Sequence, residues 1–244
     1  MSGAREARPP APCASERLKR VAAERAAERV LPGMRIGLGT GSTVAQLLDV
    51  LGERAARGEL EGIVGVPTSV RTAERARELG IRLAELDEVE PLDLTVDGAD
   101  EVGPGLDLVK GLGGALLREK MVAQASGALM IIVDESKLVG RLGERTPLPV
   151  EVVRFGWRAH MALFRELGSD PLLRRLEDGS PFVTDNGNYM VDCRFPDGME
   201  DPTALEETLR RRAGVVESGL FLGMASAVVV AGERGVTVLE RGGT

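Results

Sequence analysis

The chain has 244 residues, enough for one large domain or for a large one and a small one. Its net charge of −7 argues against a nucleic-acid surface, and no apolar run is long enough to span a membrane. One histidine (His160) and two distant cysteines (Cys13 and Cys193) leave almost nothing from which to build a zinc site, a Ser-His-Asp triad or a disulfide framework, so the chemistry must rest on Asp, Glu, Lys and backbone donors.

Residues 1–14, with Pro9, Pro10 and Pro12, read as a disordered tail without the apolar stretch of a secretory signal, which fits a reducing cytoplasm. A helix capped by Ser15 then carries Leu18, Val21, Ala22, Ala26 and Val30 and stops at Pro32-Gly33. Arg35 to Leu38 is strand-like and feeds, through Gly39-Thr-Gly-Ser-Thr43, a helix with Val44, Leu47, Leu48 and Leu51 at helical spacing. Glycines and hydroxyls between a strand and a helix start make a ready anion site. The loop lacks the lysine of a nucleotide P-loop and the third glycine of a dinucleotide fingerprint, and no acid follows the next strand. On this stretch alone, a phosphate site and a plain turn with a Ser/Thr cap stand level.

Further along come a strand at Ile63 to Val66, a helix at Arg71 to Leu79, strand-like runs at Ile81 to Ala84, Leu92 to Val96 and Asp107 to Lys110, a helix at Ala115 to Ala125 and an apolar strand at Ala128 to Val133. This alternation predicts an α/β fold, a Rossmann-like, mostly parallel sheet with helices on both faces. Its polar clusters, at Gly39–Thr43, Asp97–Asp100, Lys110–Gly114 and Asp134–Lys137, each follow a strand-like run and are expected on one rim. From about Pro147 the order becomes β-α-β-β-α-β: Val150 to Val153, a helix from Trp157 to Leu167 that holds His160 as a packed residue, a hairpin of Phe182–Thr184 and Tyr189–Phe195 around Asp185-Asn-Gly-Asn188, a helix at Thr203 to Arg212, and Val215 to Leu222. The expected division is a catalytic α/β domain of residues 15–146 and 223–244, whose last strands (Ala227 to Val230, Val236 to Leu239) rejoin the large sheet, and a smaller α+β ferredoxin-like domain of residues 147–222.

Asp97 and Asp100 are close carboxylates that cannot both ionise freely; acid/base work, a structural turn and half of a Mg²⁺ site all remain open. Lys110 on a glycine loop can meet a developing oxyanion, or simply precede a turn. Glu119 sits in Arg118-Glu-Lys120, a triplet whose pattern favours solvated charges, and Lys137 can reach the same rim as a cation for phosphate.

Together, Gly39–Thr43, Asp97-Gly-Ala-Asp-Glu101, Lys110-Gly-Leu-Gly-Gly-Ala-Leu-Leu-Arg-Glu-Lys120 and Asp134-Glu-Ser-Lys137 resemble type A ribose-5-phosphate isomerase in order and spacing, from about residue 15 to the C-terminus. Leu148-Pro-Val-Glu-Val152 and Val183-Thr-Asp-Asn-Gly-Asn188 resemble that family's small domain; the long N-terminal tail and Arg154 depart from the pattern. The resemblance implies an aldose–ketose isomerase for ribose 5-phosphate and ribulose 5-phosphate, with no cofactor or metal, as a homodimer or homotetramer. It implies Glu119 as the base between C2 and C1, Asp97 for ring opening and oxygen proton transfer with Asp100 alongside, and Lys110 against the enediolate. Substrate binding falls on Thr40, Gly41, Ser42, Thr43 and Lys137, and on Gly98, Ala99, Gly111, Leu112 and Gly113. Two rivals fit less well. An amino-sugar-phosphate deaminase lacks its ring-opening histidine here, and a sugar-phosphate sensor would carry a DNA-binding helix-turn-helix that the acidic chain does not offer.

Overall fold

The computed structural model describes residues 14–242. In chain order the strands are β1 Arg35–Leu38, β2 Val64–Pro67, β3 Leu94–Asp97, β4 Glu101–Val102, β5 Leu108–Val109, β6 Leu129–Asp134, β7 Leu148–Val152, β8 Asp170–Leu173, β9 Tyr189–Arg194, β10 Val215–Ser218, β11 Leu220–Phe221, β12 Ala227–Gly232 and β13 Gly235–Glu240. The α-helices are α1 Ala14–Ala27, α2 Ser42–Ala56, α3 Val70–Glu78, α4 Leu86–Val89, α5 Leu116–Gln124, α6 Met161–Glu166 and α7 Pro202–Arg210.

Six strands form the large sheet in the order β13-β12-β6-β3-β1-β2, all parallel except the edge strand β13. The returning strands β12 and β13 therefore rejoin it as expected. β6 is buried along its whole length, as a central parallel strand covered on both faces must be. Its alternate residues divide between two cores. Met130 and Ile132 pack with Ala22, Ala26, Leu47 and Leu51 of α1 and α2, while Leu129, Ile131 and Val133 pack with Leu108, Phe221 and Ala123. From β1 the chain goes to β2 on one side and then to β3 on the other, so the loops after β1 and β3 part at the place where such sheets receive ligands.

The second sheet has the order β10-β7-β9-β8 and is antiparallel, the βαββαβ arrangement read from residues 147–222. Its core gathers Val150, Val152, Phe164, Val191, Cys193 and Leu209.

Several elements differ from expectation. Besides β7, the partner of β9 is β8, not 182–184, which makes only the single bridge Val183↔Tyr189. β8 is an edge strand, where Pro171 needs no ladder donor, so its sequence does not look like a strand. Residues 81–84 make one bridge, Gly65↔Leu83. The run 215–222 breaks at Gly219, and β11 pairs with β5 in a three-stranded sheet, β11-β5-β4. The loop carrying Lys110 thus leaves this small sheet, not the large one. α1 begins at Ala14, the last residue assigned to the tail; residues 1–13, Cys13 among them, lie outside the described residues. Cys193 is buried, which pushes its thiol up to about 12. His160 is buried against Phe164, and burial first, then Arg212, lowers its pKa. No described helix is long and apolar enough to cross a membrane.

Candidate active site

The loop after β1 is shaped by two glycines. Gly41 has φ 124°, a backbone conformation L side chains rarely adopt, and a Cβ on Gly39 would lie 2.1 Å from Asp97 Oδ1. Close approach to the end of β3 is therefore built into the sequence. Gly41 is also the N-cap of α2, and no side chain caps that helix. The expected Ser/Thr cap is absent, so the first-turn N–H groups of a fifteen-residue helix are left for another acceptor. By contrast, α3 is capped by Ser69, whose Oγ accepts from Thr72 N at 3.1 Å.

Three charged side chains from three elements meet beside this loop. Asp97 ends β3 at 1% exposure, Lys110 follows β5 at 2%, and Glu119 lies in the first turn of α5 at 2%. Lys110 Nζ is 2.9 Å from Asp97 Oδ2 and 3.3 Å from Glu119 Oε2, and donates to Gly98 O at 2.6 Å. Asp97 Oδ1 accepts from Thr40 N at 3.0 Å and from Gly98 N at 2.7 Å. The two oxygens facing Lys110 are close enough for charge attraction yet lack an aligned hydrogen bond, so both retain acceptor capacity.

Burial would lower the Lys110 ammonium, but Asp97 and then Glu119 outweigh it and hold the pKa above the usual lysine range. Glu119 moves the other way from a normal salt-bridged carboxylate. Burial and then the charge of Asp97 exceed the attraction of Lys110 and raise its pKa to about 8. Asp100 is raised by burial, against the Leu112 N–H that it accepts at 2.9 Å.

A cavity of about 250 Å³ opens over these groups. Its wall includes Lys110 and Glu119, with Gly98, Ala99 and Asp100 from the turn after β3 and Gly111 and Gly113 from the lysine loop. Thr40 to Thr43 and Lys137 complete the expected set; Asp134 shapes the turn before Lys137 by accepting from Ser136 N at 2.9 Å. Three expected residues behave differently. Asp97, 1% exposed, does not itself line the cavity but lies 2.9 Å from Lys110 Nζ, which does. Leu112 does not line the cavity and contributes its N–H to Asp100 and its carbonyl to Arg174. Thr40 lines the cavity, but its hydroxyl donates away from it, to Ser69 Oγ at 2.9 Å.

Two lining residues escaped the sequence reading: Ser15 and Lys19 of α1. A lysine on an amphipathic helix reads as solvated, and nothing local distinguishes Lys19. Arg118 and Lys120 also have specific partners. Arg118 donates to Asn186 Oδ1 (2.9 Å) and Asp185 O (3.1 Å), and Lys120, 1% exposed, donates to Glu217 Oε1 (2.7 Å) and Ser218 O (3.0 Å). The charged triplet thus has one residue in the cavity and two tied to the second sheet.

The family model described as ribose 5-phosphate isomerase A (phosphoriboisomerase A) matches residues 64–235. Among curated relatives, ribose-5-phosphate isomerase A of Gloeobacter violaceus is 55% identical over 91% of this chain and 95% of its own, and the probable chloroplastic ribose-5-phosphate isomerase 3 of Arabidopsis thaliana is 50% identical over 92% and 83%. A solved D-ribose-5-phosphate isomerase in complex with phospho-erythronic acid is 42% identical, with a TM-score of 0.90 over 93% of this chain and 99% of that one. Ribose 5-phosphate isomerase from Plasmodium falciparum is 36% identical, with a TM-score of 0.90 over 93% and 100%.

Proposed function

The chain belongs to the ribose 5-phosphate isomerase A family, and from that premise we propose that it interconverts D-ribose 5-phosphate and D-ribulose 5-phosphate through an enediolate. One observation carries the assignment of the site: Lys110 Nζ stands between Asp97 and Glu119, in a cavity also lined by the uncapped start of α2, Lys19 and Lys137. Moving a proton next to a carbonyl needs a carboxylate base and a cation at the oxygen, and holding the substrate needs an anion site at a suitable remove.

In the proposed reaction Ser42, Thr43, Lys19 and Lys137 hold the phosphate of the open-chain sugar. Asp97 assists ring opening, with Asp100 beside it. Glu119 takes the proton from C2, the C–H electron pair becomes the C1–C2 double bond, and the negative charge on O1 is met by Lys110. Asp97 passes the O2 proton to O1, and Glu119 returns its proton to C1 as the C2 carbonyl forms. No electron leaves the sugar, and the reaction calls on no cofactor. Phospho-erythronic acid, bound in the relative, is a sugar acid whose planar carboxylate resembles an enediolate, which supports this reading. With a pKa of about 8, only roughly a tenth of Glu119 is ionised in the free enzyme at pH 7.

The same reading keeps residues 15–146 with 223–244 as the catalytic unit and 147–222 as the smaller one. It also places the enzyme in the cytoplasm, in the non-oxidative pentose phosphate pathway, as a homodimer or homotetramer; light scattering of the purified chain tests the assembly.

The reaction is tested with ribose 5-phosphate in deuterated water, followed by NMR. Interconversion with solvent deuterium appearing at C1 of ribulose 5-phosphate is expected. Absence of interconversion would count against the reaction, and interconversion with no deuterium at any carbon would count against an exchanging base at Glu119.

A further inference from the structure

Behind the loop after β1 lies a cluster of four buried hydroxyls, Thr40, Thr68, Ser69 and Thr72, that the reaction above does not use. Thr40 Oγ1 donates to Ser69 Oγ (2.9 Å), Ser69 Oγ donates to Thr72 Oγ1 (3.0 Å), and Thr72 Oγ1 donates to Gly39 O (2.8 Å). Each hydroxyl has one proton, and the chain ends on a carbonyl that only accepts, so its direction is fixed. It leaves residue 40 and returns to residue 39, closing a loop around the peptide between them. That peptide carries Thr40 N, one of the two N–H groups on Asp97 Oδ1. Gly39 N is meanwhile held by Val96 O at 3.0 Å, one residue before Asp97. Thr68 adds a brace, its Oγ1 lying 2.8 Å from Thr40 Oγ1 and 3.1 Å from Leu38 O.

We propose that Ser69 and Thr72 are positioning residues for the isomerisation: their hydroxyls lock the Gly39–Thr40 peptide so that its N–H fixes the carboxylate of Asp97 against Lys110. The proposal rests on the role given to Asp97 above. Neither side chain touches substrate in this scheme. A buried hydroxyl is costly unless it is bonded, and these are bonded to one another, to the carbonyls of Leu38 and Gly39 and, at Ser69, to Thr72 N of α3. Without Thr72 Oγ1, Gly39 O loses its hydroxyl donor and Ser69 an acceptor, and the peptide is free to shift. Misplacement of a catalytic group by about 1 Å can lower turnover by about 10²-fold.

The test is steady-state kinetics on Thr72→Val, which keeps the shape and removes the hydroxyl, beside Thr72→Ser, which keeps the hydroxyl. Thr72→Val is expected to lower kcat about tenfold or more, with KM within about threefold because the phosphate-side groups are untouched. Thr72→Ser is expected to retain kcat within about threefold of the parent, a rescue a merely space-filling residue would not give. A Thr72→Val enzyme with parental kcat, a change confined to KM, or a Thr72→Ser enzyme as slow as Thr72→Val would overturn the proposal. If Thr72→Val does not melt cooperatively, Ser69→Ala beside Ser69→Thr reads the same chain, with the same pattern expected and the same results overturning it. A parent enzyme that fails to interconvert the pentose phosphates would instead tell against the reaction itself.

Discussion

Replacing Glu119 by Gln is expected to do two opposite things: remove turnover and stabilise the fold. Burial first, then Asp97, lifts this carboxyl from 4.5 to about 8. A group that titrates higher in the folded chain than in the unfolded one contributes stability while protonated; that contribution is whole below the unfolded value and is lost as pH rises through the folded value. Each pH unit between the two is worth somewhat more than ~1 kcal/mol, so the loss reaches about 3 kcal/mol at pH 7 and about 5 kcal/mol above pH 8. Glutamine has nearly the same shape and cannot ionise, so it escapes that loss. It remains a buried amide whose polar atoms must find partners among groups arranged for a carboxyl, which leaves a net gain of roughly 1–3 kcal/mol at pH 8.5. For a chain of this size, that is a rise in Tm of about 2–12 °C. The gain shrinks as pH falls and vanishes between about pH 6 and 7, where the parent's loss equals what the amide costs. Turnover of ribose 5-phosphate should fall by about 10²–10⁴ at every pH, whereas kcat/KM of the parent should climb with pH to a plateau past about 8. Thermal melts of both proteins at pH 5, 7 and 8.5, run beside the isomerisation assay, read all of this. A Glu119→Gln protein that melts below the parent at pH 8.5, or that keeps near-full turnover, refutes the reasoning.

Gly39→Ala would drive a methyl group into the Asp97 carboxylate, so kcat is expected to fall by about 10² or more; parental kcat would show that the loop gives way without consequence. Lys110→Met leaves the Asp97 carboxylate buried without its cation, with an expected loss of about 3–5 kcal/mol at pH 7 in denaturant titrations. Thr43→Val, Lys19→Met and Lys137→Met are each expected to raise KM, by about tenfold for the lysines, with kcat within about threefold, because a phosphate anchor binds ground and transition states alike. Chelator treatment is expected to leave activity unchanged; a loss restored by Mg²⁺ would reassign the Asp97 and Asp100 pair to a metal.

Much of the site is visible in the one-dimensional chain because glycines and polar residues after strand-like runs have few other uses. The turns at 39–43 and 97–100 follow β1 and β3, as the alternation of strand and helix suggests, and the strand order, which periodicity does not give, sets them on either side of the point where it reverses. Glu119 is different. Its immediate neighbours are charged and its helix opens with apolar residues, so the pattern resembles a solvated turn. Its partner Lys110 comes from another loop, and its charged neighbours are taken from far away: Asp185 and Asn186 take Arg118, and Glu217 and Ser218 take Lys120. The uncapped start of α2 was equally hidden, since Ser42 and Thr43 look like caps and the backbone makes Gly41 the cap instead. The hairpin at 185–188 illustrates the limit of turn chemistry. The turn is real, but only one bridge, Val183↔Tyr189, flanks it, and the strand that follows, β9, pairs instead with β7 and the earlier β8.

The two charged neighbours of Glu119 make α5 a rivet through both sheets. One side chain is fastened to the 185–186 turn and the other to the end of β10, 97 residues further along the chain. The Glu119 carboxylate is therefore the middle link of a three-link shackle, fixed from both sides only when α5 has met the 185–186 turn and β10. On the role proposed for Glu119, a half-assembled chain then holds no armed base, and isomerase activity regained during refolding would time the docking of α5 against these two anchors.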